Sequence, residues 1–156
     1  MRHSVAVPAP RIPGAPRPPE ILGRCSVVDH GLRRRAVLRG LATGATARTE
    51  VCDADPYLLR AARFHGEPAG RDCPVCRDPG LALVSFVFGD ELGQFSGRIR
   101  SRVEIGEMSG SVGEVRVAVV EVCRRCSWNH LALSYLIGDG RPRHPPRRQH
   151  TVLDDD

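Results

Sequence analysis

Two Cys-x-x-Cys motifs constrain this 156-residue chain more than any other feature of its sequence. The first lies in RDCPVCRDPG, at Cys73 and Cys76, and the second in EVCRRCSWNH, at Cys123 and Cys126. Each motif holds two thiolates on one side of a tight turn. Two such turns supply the four soft ligands of a tetrahedral zinc ion, with Zn–S distances of about 2.3 Å. The sequence therefore predicts a structural Zn²⁺ site.

The spacing between the motifs leaves alternatives open. Compact zinc modules separate their cysteine pairs by about 15–20 residues, whereas residues 77–122 intervene here. We interpret this excess as an insertion at a hairpin tip. An iron–sulfur cluster would use the same four thiolates. Two separate redox pairs are less favoured, because neither motif opens a helix within a βαβ pattern, as a thioredoxin-like motif does.

The hydrophobic pattern predicts helices first and strands later. Helices are expected in VVDHGLRRRAVLRGLATG and in DADPYLLRAARFHG, where Asp55 suits the N-cap and Gly66 the end. LALVSFVFG, EVRVAVVEV and HLALSYLIG are typical of strands. A weaker helix begins at the capping-box pair Ser101 and Glu104. The predicted fold is α+β, with N-terminal helices packed on a small three-stranded antiparallel sheet that resembles a zinc ribbon.

Composition predicts the domain boundaries and the cellular location. Residues 1–25 are rich in proline and arginine and are expected to form a disordered arm, and residues 139–156 a disordered tail. Residues 26–138 then form a single domain. We expect a cytoplasmic protein that does not span a membrane, since the chain shows no secretory signal and no apolar run of membrane length. Structural disulfides are rare in that compartment.

The basic charge of the chain is weak evidence for a nucleic-acid partner. The 23 basic residues are all arginine, as expected from a GC-rich genome. Candidate partner contacts are nevertheless the residues beside the second motif, Arg124, Arg125 and Trp128, and two arginines of the first helix, Arg33 and Arg34. Trp128 has a second interpretation, in which it packs over the metal loop.

The remaining cysteine, histidine and acidic residues that could bind a metal or act in catalysis are expected to have structural roles. Cys52 is expected to be a small buried hydrophobic residue. However, Glu-Val precedes both Cys52 and Cys123, and this echo could place Cys52 near the sheet as a spare metal ligand or a redox-sensitive neighbour. His65 and His130 are not needed as ligands. Asp90 and Glu91 have no evident nucleophile or base beside them.

Four strings in this order resemble an uncharacterised actinobacterial family known only as a domain of unknown function. They are EVCDADPYLLRAARFHG, CPVC, LVSFVFGDELG and VVEVCRRCSWNHL. The resemblance runs from about Val27 to Gly138. The family's acidic helical segment in the long connection is replaced here by the Gly- and Ser-richer SGRIRSRVEIGEMSGSVG. The resemblance implies no activity and no catalytic residues.

A closed four-cysteine site has no vacant position for water or substrate. We therefore expect a non-enzymatic zinc-ribbon adaptor that binds a macromolecular partner, either transcription or translation machinery or a nucleic acid, with no small-molecule substrate. The alternative is a thiol-based redox or zinc-level sensor.

Overall fold

The computed structural model describes residues 26–144. The strands in that range are β1 (Val27–Asp29), β2 (Glu67–Pro68), β3 (Leu81–Phe88), β4 (Arg98–Ile99), β5 (Val115–Cys123) and β6 (Asn129–Ile137). The helices are α1 (Gly31–Thr43), α2 (Pro56–His65) and α3 (Arg102–Met108). The predicted N-terminal arm, residues 1–25, lies outside the described residues, as does the part of the predicted tail from residue 145 onward.

The prediction of a small three-stranded, ribbon-like sheet is wrong. The structure forms a six-stranded antiparallel sheet in which β3, β5 and β6 are adjacent. β1 extends this sheet beyond β6, while β2 and β4 both pair with the other side of β3. The three additional strands are two or three residues long, too short to show an alternating pattern in the sequence. The helices are also not confined to the N-terminal part, since α3 follows β4.

Both faces of the sheet are covered by helices. Because side chains alternate along a strand, Leu83, Val117 and Leu133 belong to one buried cluster, against which α1 and α3 pack. Ala82, Val84 and Val122 belong to the other cluster, which includes two alanines of α2. α1 has no fully buried residue, so its arginine-rich surface stays largely open to solvent.

Local sequence signals fix the ends of α2 and α3. The Asp55 carboxylate accepts a hydrogen bond from the backbone N–H of Leu58 at 2.9 Å, as expected of an N-cap. The predicted capping box of α3 is present, with Ser101 and Glu104 each accepting the other's backbone N–H. α3 tolerates Gly106 because Ile105, fully buried, anchors it to the core.

A buried carboxylate joins the helical layer to the sheet. Glu121, on β5, is fully buried and is the centre of three contacts. Its Oε1 accepts from Arg34 Nε of α1 at 2.5 Å and from the indole Nε1 of Trp128 at 2.9 Å. Its Oε2 accepts from Arg71 Nη2 at 2.8 Å. Burial raises the pKa of Glu121, but the two guanidinium groups and the indole outweigh it and lower the pKa overall.

This network generates a stability prediction. Glu121→Ala leaves two partly buried arginines without their common carboxylate, so we expect the free energy of unfolding to fall by about 3–5 kcal/mol. Chemical denaturation followed by circular dichroism measures the loss. Glu107→Ala, at an exposed position of α3, is the matched control and should change stability by less than about 0.5 kcal/mol. Equal effects of the two substitutions would contradict the role given to Glu121.

Candidate metal centre

The first cysteine loop, Cys73–Asp78, is closed by two backbone hydrogen bonds. The N–H of Arg77 donates to the carbonyl of Cys73 at 3.0 Å, and the N–H of Cys73 donates to the carbonyl of Asp78 at 2.8 Å. Arg77 has a φ of +63°, a left-handed conformation that is uncommon for a residue other than glycine. This conformation turns the chain back directly after the second cysteine and leads it towards β3.

The second cysteine loop, Cys123–Trp128, repeats this conformation. The N–H of Ser127 donates to the carbonyl of Cys123, and the N–H of Cys123 donates to the carbonyl of Trp128, both at 2.9 Å. Ser127, which corresponds to Arg77, has a φ of +65°. The two loops share little sequence beyond their cysteines. Their common backbone conformation is therefore best explained by the need to place two thiols on the same side of each turn.

Strand pairing brings the two loops to the same end of the sheet. β3 and β5 are antiparallel, and their register sets Leu81, at the start of β3, opposite Cys123, at the end of β5. The exit of the first loop therefore lies beside the entrance of the second. Arg125 and Asp78 also approach each other across the two loops, at 3.6 Å.

The four predicted ligands meet in this place. The sulfur atoms of Cys73, Cys76, Cys123 and Cys126 all lie within 4.8 Å of one another. The Cys73–Cys126 and Cys76–Cys123 sulfur distances are both 3.6 Å. A tetrahedron with Zn–S bonds of about 2.3 Å has sulfur–sulfur edges of about 3.8 Å. The cluster therefore has the ligands and the dimensions to hold one metal ion.

Electrostatics make a cation favourable at this position. Cys73 and Cys123 are fully buried, and burial raises the pKa of both thiols although backbone N–H groups of their own loops donate to them. Burial acts on Cys76 in the same direction, but the N–H of Asp78 and the neighbouring thiols outweigh it and lower its pKa. A metal ion would supply the positive charge that four clustered thiolates require.

A fifth thiol lies at the edge of the cluster. Cys52 Sγ is 3.9 Å from Cys126 Sγ, although the sequence favours Cys52 as a plain buried hydrophobic residue. Cys52 is only partly buried, and it does not belong to the four-thiol group. The echo between the two Glu-Val-Cys segments was the sequence signal for this proximity.

The candidate partner contacts divide into two groups. Arg33, Arg124 and Arg125 are exposed and stay available to a partner. Trp128 is fully buried and Arg34 is paired with Glu121, so both have structural roles in this fold. Burial removes Trp128 as a stacking platform for a nucleic-acid base.

The remaining polar residues also have structural contacts. His130 stacks on Trp128 with ring centroids 5.9 Å apart, and burial lowers its pKa. His65 ends α2 and lies outside the thiol group. The Glu91 carboxylate accepts the backbone N–H groups of Gly113 and Glu114 at 2.8–2.9 Å, which ties its loop to the start of β5.

Glu121 and Arg71 are important residues that the sequence analysis missed. Glu121 follows Val115, Val117 and Val119 in the alternating pattern of β5, so it occupies an inward-facing position of a strand. A charged residue at such a position is rarely buried without a partner, and this was the available signal. Arg71 has no comparable signal, because the loop before the first motif shows no periodicity.

Comparison with known protein families identifies the family of this chain. Residues 21–151 match a family described as a family of unknown function, DUF5318. The chain belongs to this family. The resemblance noted in the sequence is thereby confirmed.

Similar proteins occur in mycobacteria. Uncharacterised proteins of Mycobacterium bovis and of two strains of Mycobacterium tuberculosis are 52% identical over 120 residues, which cover 77% of this chain and 88% of each relative. No solved structure matches the chain. Within residues 26–144, the helices are all too short or too polar to cross a membrane.

The geometry predicts how the cysteine variants behave. Cys73→Ser removes a fully buried ligand, so we expect this variant to lose bound metal and to unfold at lower denaturant concentration than the wild type. Metal content by mass spectrometry and unfolding by circular dichroism are the measurements. Cys52→Ser is the matched control, since it removes a neighbouring thiol but leaves the four ligands. Wild-type metal content and stability in Cys73→Ser would contradict the assignment.

Proposed function

We propose that this protein is a non-enzymatic binding domain, held together by one Zn²⁺ bound to Cys73, Cys76, Cys123 and Cys126, that docks a macromolecular partner in the cytoplasm. The observation that carries the proposal is the convergence of four thiols from two loops of the same conformation. Four protein ligands complete a tetrahedral zinc shell and leave no position for a reacting water. Such a closed site favours a structural ion over a catalytic one.

A groove beside the metal centre supports the choice of partner. It lies between α1 and the first cysteine loop and has a volume of about 620 Å³. Its apolar lining includes Leu38, Leu41 and Val75, and its charged lining consists of Arg34, Arg48 and Arg77. Within the described part of the chain, acidic side chains are absent from this lining.

The chemistry of the groove favours an acidic protein segment that carries an apolar side chain. Arg34 already faces Glu121. Arg48 and Arg77 are exposed and can pair with carboxylates, although Arg48 also interacts with the thiols of Cys52 and Cys126. Leu38 and Val75 offer apolar surface of the kind that anchors a partner side chain. A single-stranded nucleic acid fits this groove less well, because its bases stack on exposed aromatic side chains and the described residues that line the groove include none.

A binding experiment tests this surface. The probe is a labelled peptide with one leucine flanked by glutamates, measured by fluorescence anisotropy on metal-loaded protein. Arg48→Glu combined with Arg77→Glu should weaken binding by about tenfold or more, since each charge-assisted contact contributes about 1 kcal/mol. Higher salt concentration should also weaken peptide binding to the wild-type protein, because salt screens the attraction between exposed charges.

The control variant makes the same charge change elsewhere. Arg60→Glu combined with Arg63→Glu alters exposed positions of α2, which packs on the other face of the sheet, and should leave peptide affinity unchanged. Equal losses in the two double variants would indicate nonspecific attraction and reject the groove. Tight binding of a single-stranded RNA that depends on Arg124 and Arg125 would make a nucleic acid the partner instead.

A further inference from the structure

The segment that carries Cys52 is fastened alongside the second cysteine loop. Three hydrogen bonds make this attachment: Asn129 N to Val51 O at 3.3 Å, Ala54 N to Ser127 O at 3.0 Å, and Asn129 Nδ2 to Asp53 Oδ1 at 2.9 Å. Cys52 lies between the anchored residues Val51 and Ala54. Its proximity to Cys126 is therefore a consequence of backbone attachment and does not depend on the orientation of one side chain.

The two sulfur atoms lie near van der Waals contact. They are 3.9 Å apart, and a disulfide has an S–S distance of about 2.05 Å. Cys52 and Cys126 are both partly buried, whereas Cys73 and Cys123 are fully buried. The pair therefore lies at the more accessible edge of the cluster, away from its buried interior.

A cation lies beside this pair. The side chain of Arg48 interacts with the thiols of Cys52 and Cys126, and these interactions raise the pKa of its guanidinium group. Cys52 and Cys126 are themselves partly exposed, so a small oxidant can reach their sulfur atoms from the solvent side.

We propose that Cys52 and Cys126 form a peroxide-reactive pair whose disulfide removes one ligand from the metal. The inference rests on the proposed function, because it requires an ion at the four-cysteine site. Cys52 is the attacking thiol, since it is free of the metal. Cys126 is the resolving thiol, since it is the ligand that contacts Cys52.

The reaction balances with hydrogen peroxide as the oxidant. The Cys52 thiolate attacks one peroxide oxygen; an S–O bond forms, the O–O bond breaks, and the leaving hydroxide takes a proton from solvent to become water. The Cys126 thiolate then attacks the Cys52 sulfenic acid; an S–S bond forms, the S–O bond breaks, and a second water leaves after protonation. The two thiolates lose two electrons, which reduce the peroxide.

The disulfide changes the metal site. When the sulfur of Cys126 bonds to Cys52, its bond to a metal ion would break, and the ion would be held by the thiolates of Cys73, Cys76 and Cys123. A zinc ion held in this way is exposed to exchange with solvent and chelators, and the second loop loses the ligand that fixed its end. Reduction by a dithiol restores the thiol and the site.

Peroxide-driven metal release is the test. The full chain is loaded with zinc and treated with hydrogen peroxide in the presence of a chromogenic chelator, and the disulfides are mapped by mass spectrometry. Wild-type protein should release its zinc and contain a Cys52–Cys126 linkage. Cys52→Ser and Cys52→Ala should bind zinc normally but release it about tenfold more slowly, because the oxidised thiol no longer has a preoriented partner.

A control cysteine variant and the zinc content of the wild-type protein distinguish failure of this inference from failure of the proposed function. Cys25→Ser removes a cysteine that lies outside the described residues and should release zinc at the wild-type rate. Wild-type release rates in both Cys52 variants, or a disulfide joining other cysteines, would overturn the inference and leave the metal site standing. A wild-type chain that binds no zinc would overturn the proposed function, and the disulfide map would still decide whether Cys52 and Cys126 pair.

Discussion

Four clustered thiolates without a cation would be an unfavourable centre for a domain of this size. Two of the sulfur atoms are fully buried, and four thiolates cannot share this volume unless a positive charge lies between them. Structural zinc in small domains supplies about 10–16 kcal/mol of apparent free energy. A typical domain has a net stability of about 5–15 kcal/mol. An ion bound here would therefore contribute a free energy on the scale of a whole domain's net stability, and it would tie together the two loops and the end of the sheet.

The Glu121 network extends this dependence to the helical layer. Arg71 lies two residues before the first cysteine loop and Trp128 closes the second, and both donate to the same buried carboxylate. Arg34 joins α1 to that carboxylate as well. α1 has no fully buried residue, so this ion pair adds to the packing of Val37, Leu38 and Leu41 against the core, and it positions one wall of the basic groove.

The long strands and helices could be predicted from the sequence, because their hydrophobic residues recur at a regular period or residues typical of helix ends bracket them. The alternation of Val115, Val117 and Val119 is sufficient to predict β5, and Asp55 with Gly66 brackets α2. The short strands β1, β2 and β4 could not be predicted, because pairing with β3 or β6 creates them and two or three residues carry no period. This tertiary pairing turned the expected three-stranded sheet into one of six strands.

The cysteine cluster was predictable from its motifs, but its surroundings were not. Cys-x-x-Cys spacing specifies local turns, whereas the position of Cys52 results from hydrogen bonds that join Val51 and Ala54 to a loop far away in the chain. The role of Trp128 is likewise decided by Glu121, and no local rule connects these two residues.

X-ray absorption at the metal edge tests the central claim most directly. The account predicts one zinc ion per chain in protein purified under reducing conditions, surrounded by four sulfur atoms at about 2.3 Å. A protein with no metal and with disulfides joining Cys73, Cys76, Cys123 and Cys126 would contradict it. So would a zinc ion with nitrogen or oxygen atoms in its first coordination shell.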